Sequence, residues 1–87
     1  MSITVEFYGI PRARAGTAAW QTQAGTLEEL LRAVGRRFPR LEGECVIDGQ
    51  LAPGYTVNVN GDRFVTDPAT PLEPGDHVLL LSVDAGG

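Results

Sequence analysis

The chain has 87 residues and a net charge of −4, with one cysteine and no lysine, its seven basic residues all being arginine. At this length one domain is expected, and 43 % hydrophobic residues suffice for a single core. A lone cysteine excludes a disulfide framework and a four-cysteine zinc site, and an acidic domain is a poor binder of phosphate backbones. No apolar run approaches a membrane span and the N-terminus lacks a signal-peptide pattern, so a soluble cytoplasmic protein is expected, with neither nucleic acid nor membrane as partner.

Ile3, Val5 and Phe7 alternate with Thr4, Glu6 and Tyr8, the period of a half-buried strand. Gly9 to Gly16, with Pro11, Arg12 and Arg14, is expected as a loop. Thr17 to Thr22, with Trp20, reads as a second strand that pairs back as a hairpin. Thr26 and Glu29 have the spacing of a capping box. Leu27, Leu30, Leu31, Val34 and Phe38 follow as one apolar stripe at helical period. Arg32, Arg36 and Arg37 lie toward the helix end, where positive charge complements the dipole. Pro39 disfavours helical geometry at Phe38 and marks the stop, while Gly35 weakens the helix slightly.

Pro39 to Gly54 is the least regular stretch, too long for a bare loop in a small domain. Within it Cys45-Val46-Ile47 reads as a short strand before an Asp48-Gly49 turn. Tyr55, Val57 and Val59 alternate with polar residues as a further strand, and Asn60-Gly61 is a tight-turn signal across which Arg63 to Val65 pairs back. Pro68, Pro71 and Pro74 forbid a ladder, so Asp67 to Asp76 is a loop with a turn at Pro74-Gly75. His77 to Val83 is apolar on both faces, as in the middle of a sheet. Leu79, Leu81 and Val83 share one face, Val78 and Leu80 the other, and which of the two the helix covers stays open.

The chain then runs out in Asp84-Ala85-Gly86-Gly87. Glycine offers no side chain to shield its carboxylate and permits any backbone angle. Four extended residues reach about 13 Å, enough to thread a narrow channel. The expected organisation is a domain over residues 1–83 and a flexible tail over 84–87. If the first and last strands are central and parallel, the crossover between them contains the helix. The fold class is then α+β: a β-grasp, ubiquitin-like domain with a mixed four- to five-stranded sheet and one main helix on one face.

At this point the residues resemble the MoaD/ThiS sulfur carriers, the small subunit of molybdopterin synthase and the carrier of thiamine thiazole synthesis. The matching pieces are Val5-Glu6-Phe7-Tyr8, the capped helix from Thr26, Val59-Asn60-Gly61, the run Thr70-Pro71-Leu72-Glu73-Pro74-Gly75-Asp76, the last strand, and Gly86-Gly87. The resemblance implies that a ubiquitin-activating-type adenylyltransferase uses ATP to adenylate the Gly87 carboxylate. Sulfur from a persulfide donor then replaces the adenylate, and the thiocarboxylate tail enters a sulfur-accepting synthase, the large subunit of molybdopterin synthase or an equivalent. The carrier itself supplies no catalytic residue, no metal ligand and no bound cofactor. By the same resemblance Leu79, Leu81 and Val83 are the partner interface. Molybdopterin-type carriers tend to have aromatic residues and proline before the tail, where this chain has Leu79-Leu80-Leu81-Ser82-Val83, so the pathway stays open.

Two other classes fit parts of the pattern. A ubiquitin-like modifier would be conjugated through the same Gly87, and a β-grasp binding module would need no free terminus. β-Grasp ferredoxins are excluded for want of cysteines. His77 has no ligand set nearby in sequence and reads as a strand position, Cys45 as a small buried or half-buried residue, and Trp20 as packing. Arg32, Arg36, Arg37 and Arg40 read as a solvated helix end, with a docking patch or an RNA contact as the alternative.

Overall fold

A computed structural model describes residues 2–86 of the chain. Seven strands and three helices follow in the order β1 (Ile3–Phe7), α1 (Ile10–Ala15), β2 (Ala19–Thr22), α2 (Leu27–Arg37), β3 (Val46–Ile47), β4 (Gln50–Leu51), β5 (Tyr55–Val59), β6 (Arg63–Val65), β7 (His77–Ser82) and α3 (Val83–Gly86). Five strands form one mixed sheet in the order β2-β1-β7-β5-β6. Among the described strands of this sheet only β1 and β7 run parallel, with Val5 opposite Val78 and Phe7 opposite Leu80. The connection between them contains α2, as parallel pairing demands. The β-grasp expectation therefore holds, with the fully apolar strand in the centre.

α2 forms where the capping spacing placed it. Thr26 is extended and its hydroxyl accepts the Glu29 N–H at 3.2 Å. The Glu29 carboxylate reaches one residue further back than a standard capping box and accepts the Gly25 N–H at 2.6 Å. The N–H groups of Leu27 and Glu28 donate to the carbonyls of Thr70 and Pro68 at 2.9 Å each. The helix thus satisfies its own orphan donors by clasping the proline loop. Phe38, in non-helical geometry before Pro39, closes the other end.

The apolar stripe is core: Leu27, Leu30, Leu31, Val34 and Phe38 are buried against Ile3, Val5, Phe7, Val57, Val59, Val78 and Leu80. Val78 and Leu80 therefore face α2, which places Leu79 and Leu81 on the other side of the sheet. The Phe38 ring meets Phe7 and Trp20 edge-on, with centroids 5.2 and 5.4 Å apart. Trp20 is half-buried packing, as expected.

Gly9 to Gly16 is not a loop. Its centre is α1, six residues long, with a proline in the first turn and Gly16 as a left-handed cap at φ 76°. A proline at the start needs no N–H, and a glycine past the end accepts the left-handed angle without strain. Pro11 is buried, and the helix packs on β1 and β7. The segment is too short to show periodicity, and tertiary packing holds it helical.

The stretch from 39 to 54 holds a small separate hairpin, β3 with β4. Its turn is Asp48-Gly49, both in the left-handed region at φ 49° and 79°, the type I′ arrangement. Gly49 also sits close on α2: a Cβ there would come within 2.8 Å of the Glu28 side chain and 2.9 Å of Arg32. β7 ends at Ser82, one residue before the expected boundary, and Val83–Gly86 is a helical turn rather than extended chain.

Candidate functional site

β7 delivers the chain to the end of the molecule through a short set of backbone bonds. The Tyr8 N–H donates to the Leu80 carbonyl at 3.1 Å, which holds the entry to α1 beside the strand. The Val83 N–H donates to the Gly54 carbonyl at 2.9 Å, which ties the start of α3 to the turn before β5. Asp84 is exposed in that turn, and Ala85 and Gly86 complete it in backbone. Gly87, the expected reactive residue, lies outside the described residues.

Of the three expected interface residues, Leu79 is half-buried, Leu81 is only 4 % exposed and Val83 is 50 % exposed. Leu81 lies on the face away from α2, opposite buried Thr56 on β5, and is covered there. Val83 has left the strand, so it does not continue that face as alternation implied. The accessible apolar surface has another principal member, Phe64, 59 % exposed. Register aligns Phe64, Asn58, Leu79 and Glu6 in one row across β6, β5, β7 and β1. The signal for Phe64 lay in the Asn60-Gly61 turn: with Val57 and Val59 inward, pairing places Arg63 and Val65 with them and Phe64 outward.

His77 is an exposed strand residue whose Nε2 lies 2.8 Å from the Glu6 carboxylate. Among the described residues no group of three His, Cys, Asp or Glu side chains could hold a metal ion. Cys45 is fully buried, and that burial raises its thiol pKa against the lowering effect of a hydrogen bond with Tyr55. A thiol in that state is a poor nucleophile. Tyr55 is raised in turn, by burial first and by the Cys45 contact second. Among the described residues no helix is long and apolar enough to cross a membrane.

A five-stranded mixed sheet, one long helix on one face and a C-terminal segment continuing the central strand define a ubiquitin-like β-grasp protein. The model of the ThiS family matches residues 5–87, and the chain belongs to that family, whose members are small sulfur carriers rather than catalysts. Three solved structures illustrate the likeness. The chain superposes on SAMP1 from Haloferax volcanii with a TM-score of 0.81 at 21 % identity, covering 94 % of each chain. It matches the HVO 2177 protein of Haloferax volcanii with a TM-score of 0.77 at 28 % identity, over 100 % of this chain and 87 % of that one. A protein–protein complex of subunits 1 and 2 of the molybdopterin-converting factor from Helicobacter pylori matches with a TM-score of 0.64 at 24 % identity, over 94 % and 93 %. Comparison with curated proteins gave no significant match.

Proposed function

We propose that the protein carries sulfur on Gly87 and donates it in cofactor biosynthesis, in the molybdopterin pathway or a related one such as thiamine synthesis. The observation that carries this reading is the extent of the family match, which runs through Gly86-Gly87, past the last strand. A carboxylate is a poor electrophile and must be activated, so a ubiquitin-activating-type adenylyltransferase consumes ATP to form the acyl adenylate. The terminal sulfur of a persulfide adds to the acyl carbon and displaces AMP. Thiol cleavage of the resulting acyl disulfide leaves the thiocarboxylate. A synthase then takes the sulfur, the role that the Helicobacter pylori complex suggests for a partner subunit. Dependence on ATP fits a cytoplasmic setting. The domain's own contribution is to present an unhindered terminus to two active sites in turn.

A modifier conjugated through Gly87 would use the same terminus. The 87 residues include no lysine, so lysine-linked chains of this sequence on itself cannot form. Intact mass of the protein from its native cell separates the readings. The expected species are free carboxylate and free thiocarboxylate, the latter removed by alkylation or hydrolysis. Finding most of the protein in isopeptide-linked conjugates would overturn the carrier reading.

A further inference from the structure

Folding brings together two groups of arginines that the sequence keeps apart. α1 carries Arg12 and Arg14, and the end of α2 with the following turn carries Arg36, Arg37 and Arg40. The Arg14 guanidinium joins them: Nη1 donates to the Arg40 carbonyl at 3.3 Å, and Nη2 pairs with Glu44 at 3.2 Å. The Arg37 guanidinium lies 4.8 Å from the centroid of the Phe38 ring, which Phe7 and Trp20 hold edge-on. Arg12 and Arg40 are exposed, and among the described residues their side chains have no acidic partner, whereas Arg36, also exposed, lines a cleft with Glu42 and Asp48. One or two cations are enough to complement a helix C-terminus. This end of the molecule has more, on a chain whose net charge is −4.

We propose that this arginine pole is a docking surface for a carboxylate-rich surface of the adenylating enzyme that receives the tail; the proposal rests on the carrier reading above. Position supports it. α1 packs against β7, and the Tyr8 to Leu80 bond holds its entry beside the strand that leads to Gly87. Charge supports it as well. An acidic partner is repelled by the rest of the molecule and attracted here, which orients the encounter and speeds it. Nucleic acid fits poorly, because the overall charge opposes it and the rings at this pole are occupied, Phe38 buried and Trp20 half-buried. The choice of residue has a chemical reason. Guanidinium groups bind carboxylates through a planar fork and stay protonated. A lysine beside an activated glycyl carbonyl would offer an amine that displaces AMP and wastes the acyl group as an amide.

The test uses the full chain. Association with the adenylating enzyme of its own cell is followed by stopped flow over a range of salt. Arg12→Gln and Arg40→Gln remove charge without touching the Arg14 or Arg37 contacts. Each should slow association about tenfold at low salt, with little effect at high salt. Arg63→Gln, at an exposed arginine on β6, should leave the rate unchanged and so controls for net charge. In parallel, isotope-labelled wild type is titrated with poly-L-glutamate and with single-stranded RNA. The expected amide shifts fall in 10–16 and 36–41 with the glutamate polymer alone. Rates within about twofold of wild type for both variants, in a protein that is still adenylated, would overturn the proposal. So would stronger shifts with RNA. Wild type that no adenylating enzyme engages would sink the carrier reading instead, and the glutamate titration would then decide the pole by itself: shifts there support it, their absence rejects it.

Discussion

The side-chain amide of Asn60 donates to the carboxylate of Asp76 at 3.0 Å, joining the β5–β6 turn to the start of β7. The same Asn60 brackets His77, its Oδ1 accepting the His77 N–H at 2.8 Å and its own N–H donating to the His77 carbonyl at 2.7 Å. The other Asp76 oxygen accepts the Glu73 N–H at 2.8 Å, closing the Pro74-Gly75 turn. Asn60 sits at φ 59°, a left-handed angle asparagine tolerates better than most residues. The Asn-Gly and Gly-Asp pieces that carried the family resemblance therefore meet in space, where they set the register in which the central strand begins.

Those bonds stabilise the ionised form of Asp76, the Glu73 N–H contributing most and Asn60 next, so its pKa is lowered from the usual carboxylate value. A lowered folded pKa gives stability that is fully present above the unfolded pKa, about 3.9, and is lost as pH falls through the folded value. Asp76→Ala should cost about 1 kcal/mol at neutral pH. Thermal melts of both proteins from neutral to strongly acid pH should converge at the acid end, and a gap that stayed constant would contradict the assignment.

The helix stripe should dominate stability. Leu30 and Leu31 are buried in the core, and either one changed to alanine should cost about 2–5 kcal/mol. Urea denaturation measures this, and a loss below about 0.5 kcal/mol at both sites would remove them from the core.

The open sheet face should be probed at Phe64 rather than at Leu81. Phe64→Asp should change stability by no more than about 0.5 kcal/mol and weaken partner binding about tenfold, or 1.4 kcal/mol. Leu81→Asp buries a charge and should destabilise the fold by more than about 2 kcal/mol. Calorimetry of folding and of binding separates the two, and a stable Leu81→Asp protein would mean that Leu81 is open after all.

Removing Gly87 should leave the melting temperature nearly unchanged, because the last sheet strand ends at Ser82. ATP-dependent adenylation by the activating enzyme should disappear. Normal adenylation of the shortened protein would rule out Gly87 as the activated residue.

What could be read in advance follows from how much local signal each element holds. α2 combines a capping pair with a helical period sustained over eleven residues, so its start, stop and buried face were all visible. The β5–β6 hairpin has its turn dipeptide and its alternation. α1 has only six residues and β3 and β4 only two each, too short for any period to emerge, and tertiary packing decides them. β7 is apolar on both faces, so alternation could not say which side α2 takes or that Leu81 is covered. The glycine pair was legible as an ending, but the helical turn that precedes Gly87 was not.

That turn has a consequence for depth. Wound as a helix, Val83–Gly86 spans about 6 Å at 1.5 Å per residue. Drawn out, the same four residues span about 13 Å. A partner whose reacting centre lies deeper than the shorter length can be served only after the turn unwinds, and the Val83 N–H bond to Gly54 fixes the point from which the length is paid out. One helical turn has little stability of its own, so a few contacts inside the channel suffice to draw it straight. On the carrier reading proposed above, an activating enzyme and a synthase can then differ in how far in they hold their chemistry, with the fold acting as a stop that sets the maximum insertion for both.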